Sequence, residues 1–286
     1  MPRAGFIGLG NIGRPMAERL VAAGLVTTVY DVAADAVKAL GAAGAREASS
    51  PREVAEAADV VGVCVRDDAD VRRVAYGPNG LLAGARDGLV VAIHSTVLPR
   101  TVVEVGKAAA EVGAAVVDAC VTGGATGAAS GNLTYMVGGD PAHIQTCRPI
   151  FETCASKIVA TGELGSGAAT KLCNNLMTYL GFLAAFEATL LARQAGLSEK
   201  ALEDVTRSNG NMTDQMMAFL MLHKIPASQR GDAGLQGMLR SFTTLAEKDL
   251  AVTLEFAREH GVALPGTALC QQLMARVYGL DDPNRR

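Results

Sequence analysis

The sequence predicts an α/β fold, with an N-terminal doubly wound parallel sheet, a long inter-domain helix and an all-α C-terminal domain. Over the first half, short apolar runs alternate with stretches of helical periodicity, the pattern of βαβ units with helices on both faces of a sheet. After about residue 163, long stretches with helical periodicity replace the short runs. Apolar residues make up 49% of the 286, enough for a substantial core.

The first domain is predicted over residues 1–163 and contains the strands. Its intervening segments, such as RPMAERLVAAG, repeat their apolar residues at helical spacing. Five apolar runs predict strands and two later runs are further candidates: 4–10, 26–31, 60–65, 88–95 and 114–119, then 133–139 and 157–161.

The second domain is predicted over residues 164–286 and contains only helices. Its first helix is long enough to be the connection between the domains, and Gly196 and Ser198 are typical of its end and of the next N-cap. The predicted helices cover 167–195, 198–207, 211–223, 242–260 and 266–279.

Charge and cysteine content restrict the class of partner. With 26 basic and 29 acidic residues and no Lys/Arg-rich run, a nucleic-acid surface or a basic membrane patch is disfavoured, and a small soluble partner is expected. Polar residues such as Glu187 interrupt the apolar segment 176–192, which we interpret as a buried helix. The N-terminus lacks a signal-segment pattern, and the six cysteines form no CxxC or metal-ligand spacing. We therefore expect a cytoplasmic protein with reduced core thiols and no metal.

A glycine-rich turn follows the first predicted strand in GFIGLGNIGRPMAERL. Gly8, Gly10 and Gly13 have the spacing GxGxxG between a strand and a helix. The first glycine allows the tight turn, the second a close approach of the backbone to a pyrophosphate, and the third close helix packing. Asn11 and Ile12 lie at the helix start, where N–H donors and the positive end of the dipole favour an anion. The segment predicts a dinucleotide site.

An acidic residue ends the second predicted strand at Asp31. This is close to the offset of about 20 residues at which a carboxylate accepts the ribose hydroxyls of a dinucleotide. A carboxylate there repels a 2′-phosphate, and residues 32–37, VAADAV, include no arginine or lysine that would bind one. NAD is therefore the expected cofactor, with NADP as the alternative.

A second glycine-rich segment, DACVTGGATGAASGNL at 118–133, follows the last βαβ unit. Gly123 and Gly124 come directly after the hydroxyl residue Thr122. Adjacent glycines can present backbone N–H groups in a concave turn, which suits an anionic carboxylate.

Five ordered blocks resemble the β-hydroxyacid dehydrogenase family, to which 3-hydroxyisobutyrate dehydrogenases belong. They are GFIGLGNIGRPMAERL, HSTVLP, DACVTGG, GSGAATKLCNN and AEKDL, and they cover nearly the whole chain. The resemblance implies a Rossmann-type domain followed by a helical one, NAD(P)-dependent interconversion of a small 3-hydroxy acid and its semialdehyde, and a homodimer or homotetramer.

The resemblance also implies a role for individual residues. Lys171 is implied as the catalytic residue, with Asn175 as its partner in catalysis and substrate binding. Thr122, Gly123 and Gly124 are implied to hold the substrate carboxylate. The implied cofactor contacts are Gly8, Gly10, Asn11, Ile12, Gly13, Asp31, Val65, Ser95, Thr96 and Lys248. The neighbouring Lys248 and Asp249 are also compatible with a simple helix-surface pair.

The chain departs from the usual family pattern around two of these segments. Ile93 stands where an aspartate is more usual, and His94 where an apolar residue is more usual. Cys120 and Thr122 replace a proline and a serine, and Thr122 keeps the hydroxyl. These changes affect the expected substrate more than the reaction class, and we interpret His94 as a structural residue.

The spacing of Lys171 and Asn175 suits proton transfer. Oxidising an alcohol with NAD requires a group on the protein that accepts the hydroxyl proton. Residues four apart share one face of a helix, so both side chains can reach one substrate oxygen. The sequence predicts Lys171 in the first turn of its helix, where the dipole and partial burial both lower the pKa of an amine.

Three other functions are compatible with the same architecture. Imine reductases usually replace the motif lysine, so Lys171 argues against that activity. A non-catalytic dinucleotide-binding sensor or interaction module is disfavoured by the intact Lys171 and Asn175. Phosphogluconate dehydrogenases are disfavoured because no arginine accompanies the glycine pair.

Overall fold

A computed structural model describes residues 2–282. In this part of the chain eight strands form one sheet in the order β3-β2-β1-β4-β5-β6-β7-β8. The strands are β1 (Ala4–Ile7), β2 (Thr27–Tyr30), β3 (Arg46–Glu47), β4 (Val60–Val63), β5 (Val90–Ile93), β6 (Ala115–Thr122), β7 (Leu133–Gly138) and β8 (Ala155–Gly162).

The sheet is parallel from β3 to β6, as the alternating pattern predicted. From β1 the chain adds strands first on one side, to β3, and then on the other, beginning with β4, which makes the sheet doubly wound. β7 pairs antiparallel with β6, and β8 is again parallel to β7. The predicted α/β class and Rossmann-type arrangement are therefore confirmed.

Helices cover both faces of this sheet. They are α1 (Gly13–Ala22), α2 (Ala34–Ala42), α3 (Pro51–Ala57), α4 (Asp68–Ala75), α5 (Pro99–Ala110), α6 (Gly124–Ser130) and α7 (Pro141–Phe151). The central strands β1, β4 and β5 are buried at every position, because both of their faces are covered. Two apolar cores result, with Phe6 and Leu20 in one and Ile7 and Val91 in the other.

Three elements of this half were not predicted from the sequence. β3 has only two residues. α6 lies inside the glycine-rich segment, whose glycines have low helix propensity, and α7 contains Pro149. Asp140 caps α7 by accepting the N–H of Ala142 at 2.7 Å. Local propensity was a poor guide in these places, because packing against the sheet stabilises the helices.

The second half of the chain is helical, as predicted. Its helices are α8 (Ser166–Gln194), α9 (Glu199–Ser208), α10 (Asp214–Leu220), α11 (Ala233–Glu259) and α12 (Pro265–Tyr278). Gly196 has φ 70° and Ser198 caps α9 by accepting the N–H of Ala201, as expected for these residues. Two compact units divide the chain, with the change between Lys171 and Leu172 inside α8.

Two helix boundaries differ from the prediction. The helix predicted over 211–223 is α10 followed by a 3₁₀ turn at Met221–Lys224. The helix predicted from 242 begins instead at Ala233, where Asp232 caps it by accepting the N–H of Leu235 at 2.8 Å. Gly234 and Gly237 lower the helix propensity of these first turns and hid them in the sequence pattern.

Helix α8 is long and apolar enough to cross a membrane by length and composition alone. It is the only such helix within residues 2–282, and core helices of water-soluble proteins meet the same criterion. The prediction of a buried helix over 176–192 is correct for residues such as Tyr179 and Phe182 and wrong for Met177 and Leu191, which are exposed.

The cysteines were predicted to be reduced thiols in the core, and this is correct for most of them. All six are free thiols. Cys120, Cys147, Cys154 and Cys270 are buried, and burial raises the pKa of Cys147 to about 12. Cys173 is exposed, so the prediction that the thiols belong to the core is wrong for this residue.

Candidate active site

The predicted cofactor residues follow the carboxyl ends of four adjacent parallel strands. Asp31 follows β2, Gly8 follows β1, Val65 comes two residues after β4, and Ser95 two residues after β5. Because parallel strands end at the same edge of a sheet, these residues lie along one edge at the point where the strand order reverses. This is the edge at which doubly wound sheets bind ligands.

Each glycine of the turn after β1 has its own steric environment. Gly8 has φ 94°, and a Cβ there would lie 2.2 Å from the carbonyl oxygen of Cys64. A Cβ on Gly13 would lie 2.0 Å from the carbonyl oxygen of Gly8, so α1 packs directly on the turn. A Cβ on Gly10 would meet no atom within 4 Å. The outer side of the turn is therefore open, and its inner side is closed.

The start of α1 lies beside this open side. Asn11 is exposed, and Ile12 is the N-cap residue and supplies no side-chain hydrogen bond to the helix. Backbone N–H groups at a helix start attract anions. The turn and the helix start thus fit a dinucleotide pyrophosphate, with space for it on the side of Gly10.

Asp31 is bonded to the turn on one side and to its own loop on the other. Its Oδ2 accepts the N–H of Leu9 at 2.6 Å, and its Oδ1 accepts the N–H of Ala33 at 2.7 Å. Each carboxylate oxygen has a second lone pair that can accept a ribose hydroxyl. The sequence predicts that Asp31 binds the ribose. The structure adds that its carboxylate also holds the glycine turn in place through the N–H of Leu9.

The ends of β4, β5 and β6 are joined through Ser95. Its hydroxyl accepts the N–H of Val65 at 2.8 Å, and its carbonyl oxygen accepts the thiol of Cys120 at 3.5 Å. Ser95 is buried, while the adjacent Thr96 is half-buried. Cys120 stands where the family that the chain resembles usually has proline, and its thiol makes a contact that proline cannot make.

His94 is a structural residue with no exposure to the ligand edge. It is 4% exposed, and its Nδ1–H donates to the carbonyl oxygen of Ala119 at 2.7 Å. Its ring stacks on Phe6 at 5.8 Å and meets Tyr135 and Phe151 edge-on. Burial lowers the pKa of His94 to about 4, so the ring is neutral at neutral pH.

The predicted carboxylate-binding turn lies where β6 ends and α6 begins. Thr122 is the last residue of β6 and pairs with Thr134 of β7. Gly123 has φ 125° and Gly124 has φ 66°, both in the region that favours glycine. Gly123 also packs against Leu133, where a Cβ would lie 3.1 Å from Cδ2. The turn at residues 122–124 therefore requires glycine for its backbone shape.

Lys171 lies in the second turn of α8 and is half-buried. α8 begins at Ser166, within one residue of the predicted start, so Lys171 is its sixth residue and the first-turn position expected for it is wrong. The field of the dipole decreases within the first turn, so it acts more weakly on this amine than the sequence suggested. Asn175 follows one turn later on the same side of the helix and is 5% exposed.

Asn175 is held by a buried carboxylate that the sequence analysis missed. Its Nδ2 donates to Oδ2 of Asp249 at 2.8 Å, and the hydroxyl of Tyr179 donates to the same oxygen at 3.1 Å. Lys248 forms an ion pair with Oδ1 of Asp249 at 2.6 Å. Since a carboxylate only accepts, the amide nitrogen of Asn175 faces Asp249 and its carbonyl oxygen faces away.

The sequence left open that Lys248 and Asp249 form a pair on the helix surface, and the burial of Asp249 excludes this for its carboxylate. It is 3% exposed and lies on the buried face of α11, together with Ala246, Leu250 and Thr253. This i, i+3, i+4, i+7 spacing is visible in the sequence and is the signal that places Asp249 inward. A carboxylate on an apolar helix face requires buried partners, and Asn175 and Tyr179 supply them.

The described residues 2–282 contain no group of three or more histidine, cysteine or acidic side chains arranged to hold a metal ion. Hydride transfer to a nicotinamide requires no metal. The donors and acceptors around the glycine turn instead suit an organic dinucleotide.

Two protein-family models match the chain over almost its full length. The NAD-binding domain of 6-phosphogluconate dehydrogenase matches residues 3–162. The NAD-binding domain of NADP-dependent 3-hydroxyisobutyrate dehydrogenase matches residues 165–282. Together they support a cofactor of the NAD or NADP type.

Known proteins resemble the chain over the same range. The NAD-dependent L-serine dehydrogenase of Pseudomonas aeruginosa is 35% identical over 96% of this chain and 91% of its own length. A structure of Mycobacterium tuberculosis 3-hydroxyisobutyrate dehydrogenase with L-serine superposes with a TM-score of 0.82 and 31% identity, covering 98% of this chain and 94% of that one. The imine reductase of Streptomyces aurantiacus has a TM-score of 0.66 and 20% identity over 99% of this chain and 97% of its own, and shares the fold alone.

Proposed function

This chain belongs to the β-hydroxyacid dehydrogenase family, and we propose that it interconverts a small 3-hydroxy acid and its semialdehyde with NAD. The observation that carries the proposal is the presence of Lys171 and Asn175 one turn apart on α8 in a chain with the dinucleotide turn of the family. L-serine and 3-hydroxyisobutyrate, which relatives are named for, both carry a carboxylate and a hydroxyl on the third carbon.

NAD is the proposed cofactor, and when bound it supplies the hydride acceptor. Gly8, Gly10 and Gly13, with Asn11 and Ile12, would hold the pyrophosphate. The open side of Gly10 supports this assignment.

Asp31 would hold the ribose of the cofactor. Its negative charge disfavours the 2′-phosphate of NADP, which remains the second candidate. Val65, Ser95 and Thr96 are proposed at the nicotinamide end of the same sheet edge, and Lys248 as a further cofactor contact.

Lys171 is the proposed general acid and base. Its amine would accept the hydroxyl proton in oxidation and return it in reduction. Asn175, held through its amide nitrogen by Asp249, would fix the orientation of the reacting group without adding charge. The turn of Thr122, Gly123 and Gly124 would bind the carboxylate through its hydroxyl and backbone N–H groups.

The remaining proposals concern the whole chain. The end of the first family match at residue 162 and the start of the second at 165 support a domain boundary at 163/164. We propose a cytoplasmic homodimer or homotetramer. The free thiols and the exposed apolar side chains of the helical unit support these assignments.

A turnover panel tests the proposed function. Reduction of NAD is followed with 3-hydroxyisobutyrate, L-serine, D-glycerate and 4-hydroxybutyrate, for the wild type and for Lys171→Ala. Because general acid–base catalysis contributes about 10²- to 10⁴-fold, kcat of Lys171→Ala should fall by about that factor while NAD still binds. Lys38→Ala, an exposed lysine on α2, is the matched control and should keep full activity.

The other outcomes separate the competing functions. NAD binding without turnover of any alcohol would support the non-catalytic sensor. Reduction of cyclic imines in place of semialdehydes would support an imine reductase. Full activity in Lys171→Ala would remove the proposed role in proton transfer.

A further inference from the structure

A second buried carboxylate, Asp118 of β6, binds the start of the lysine helix. Asp118 is 0% exposed. Its Oδ1 accepts the N–H of Gly165 at 2.9 Å, and its Oδ2 accepts the N–H of Ala168 at 2.6 Å. Gly165 directly precedes α8 and Ala168 lies in its first turn. N–H groups at a helix start have no partner within the helix, because no preceding helical carbonyls face them.

The surroundings of Asp118 are shaped around the carboxylate. A Cβ on Gly138 would lie 2.6 Å from Oδ1, and a Cβ on Gly167 would lie 2.9 Å from Oδ2. The same Cβ on Gly167 would lie 2.5 Å from the carbonyl oxygen of Met136. Strand β7 and the first turn of α8 can therefore approach the carboxylate only because both positions are glycine.

This arrangement has an energetic cost that its donors offset. Burial raises the pKa of Asp118, and the N–H groups of Gly165 and Ala168 act in the opposite direction by binding the charged form. A carboxylate at a helix start also lies at the favourable end of the dipole. An amide or hydroxyl side chain of similar size would cost less to bury but would offer fewer acceptors.

The two ends of this contact lead to the two predicted parts of the site. Along β6, Asp118 is followed four residues later by Thr122, the first residue of the carboxylate-binding turn. Along α8, Ala168 is followed by Lys171 almost one turn later. The side chain of Asp118 thus connects the strand that ends in the substrate turn with the helix that carries the amine.

We propose that Asp118 is a positioning residue: its carboxylate sets where α8 begins against β6 and so fixes the Lys171 amine relative to the turn at 122–124. The inference rests on the proposed function for its catalytic consequence. It assigns no contact between Asp118 and the substrate, the cofactor or the reacting atoms.

Two substitutions test this role through different chemistry. Asp118→Asn keeps the shape but places an NH₂ group where one of the two N–H groups needs an acceptor. Gly167→Ala keeps the carboxylate but forces a Cβ into contact with it. Asp140→Asn is the matched control, because Asp140 caps α7, which carries none of the proposed site residues.

Both variants should lose catalysis more than binding. A misplacement of about 1 Å can cost about 100-fold, so we expect the single-turnover rate of NAD reduction to fall about 10- to 100-fold in both variants. Rates are taken per NAD-binding site, so that unfolded protein does not contribute. KM for the hydroxy acid and Kd for NAD should change about threefold or less, because β6 and the glycine turn after β1 keep their own contacts.

Amide hydrogen exchange provides a readout that is independent of activity. In Asp118→Asn and Gly167→Ala, protection at residues 165–168 should fall, while protection across β4 and β5 stays at the wild-type level. Asp140→Asn should leave residues 165–168 unchanged.

The results that overturn the inference differ from those that overturn the proposed function. If the wild type oxidises no member of the panel, the proposed function is wrong, and the catalytic part of the inference with it. If the wild type is active, the inference is overturned by unchanged exchange at 165–168, or by lower protection without a fall in the single-turnover rate.

Discussion

At the scale of single residues, His94 shows how a titratable side chain can serve the sheet instead of the reaction. Its Nδ1–H holds β5 to β6 through Ala119, and three aromatic rings surround it. Gly62 lies so close that a Cβ there would be 3.0 Å from Nε2. The space around the imidazole has no room for a solvated charge.

We predict that protonation of His94 opposes folding. Its pKa is about 4 in the folded protein and about 6.5 in an unfolded chain. The contribution of neutral His94 to the free energy of unfolding is therefore complete above about pH 6.5. It is lost as the pH falls towards 4, by up to about 3 kcal/mol at about 1.4 kcal/mol per pH unit. Denaturant unfolding at a series of pH values measures this slope.

The substitution His94→Asn separates this slope from other acid effects. Asparagine keeps an N–H donor but does not titrate, so the variant should lose most of the slope between pH 6.5 and 4 even if it is less stable throughout. His260→Asn, at an exposed position, should keep the wild-type slope. An unchanged slope in His94→Asn would contradict the prediction.

The glycines after β1 allow a second prediction at this scale. Gly10→Ala adds a methyl group on the open side of the turn, so it should weaken NAD binding at least about tenfold with little change in unfolding temperature. Gly13→Ala forces a Cβ against the carbonyl oxygen of Gly8, so it should destabilise the fold itself. Calorimetry of NAD binding and thermal unfolding of both variants distinguish the two effects. Equal destabilisation by both substitutions would contradict the steric difference between these positions.

At the scale of elements, α8 and α11 are joined by a polar contact inside an apolar interface. Tyr179 and Asn175 of α8 both donate to Asp249 of α11, while Phe182 and Leu250 pack in the same core. Burial, followed by the charge of Asp249, raises the pKa of Tyr179 well above its usual value, so the phenol stays protonated and remains a donor.

We predict that Tyr179→Phe destabilises the protein by about 1.5–3 kcal/mol, the usual contribution of a hydrogen bond to a charged group. The ring is kept, so the loss comes from the hydroxyl that Asp249 requires. Tyr76→Phe is the matched control, because its hydroxyl donates to Glu104 at an exposed site, and it should change the unfolding free energy by less than about 0.5 kcal/mol. Equal effects in the two variants would show that the carboxylate does not depend on Tyr179.

Helix and strand positions were largely predictable, but their ends were less so. The strands near Phe6 and Val61 were found from apolar runs, and α9 from Ser198, because both signals are local. The start of α11 was missed because glycines obscure its first turns, and the position of Lys171 in α8 was misjudged by one turn. Errors of this size matter here, since the dipole acts mainly on the first turn.

At the scale of the whole molecule, the helical unit leaves many large apolar side chains in contact with solvent. Met177 is 74% exposed, and only 28% of the most apolar 18-residue stretch of α8 is buried. Further exposed apolar residues in this unit include Leu191, Leu197, Val205, Met221, Leu245 and Leu269. We interpret part of this exposed apolar area as a surface that another copy of the chain covers.

We predict that light scattering on the purified chain gives the mass of a dimer or tetramer. The double substitution Leu191→Arg with Leu197→Arg should shift the mass towards the monomer, because burying two cations in an interface is unfavourable. Val112→Arg, in the sheet-containing unit, is the control and should leave the mass unchanged. A monomeric wild type would contradict the prediction.

Local sequence patterns specify the class of fold, the glycine turn after β1, the acidic residue after β2 and the four-residue spacing from Lys171 to Asn175. Each of these is encoded within a few neighbouring residues, where backbone geometry and helical periodicity apply directly. Long-range packing brings Asp249 to Asn175, 74 positions away, and Asp118 to Ala168, 50 positions away. It also decided that β7 runs antiparallel to β6. These contacts depend on which elements pack together, so no local pattern specifies them, and a buried carboxylate is recognised as a partner only when its donors are known.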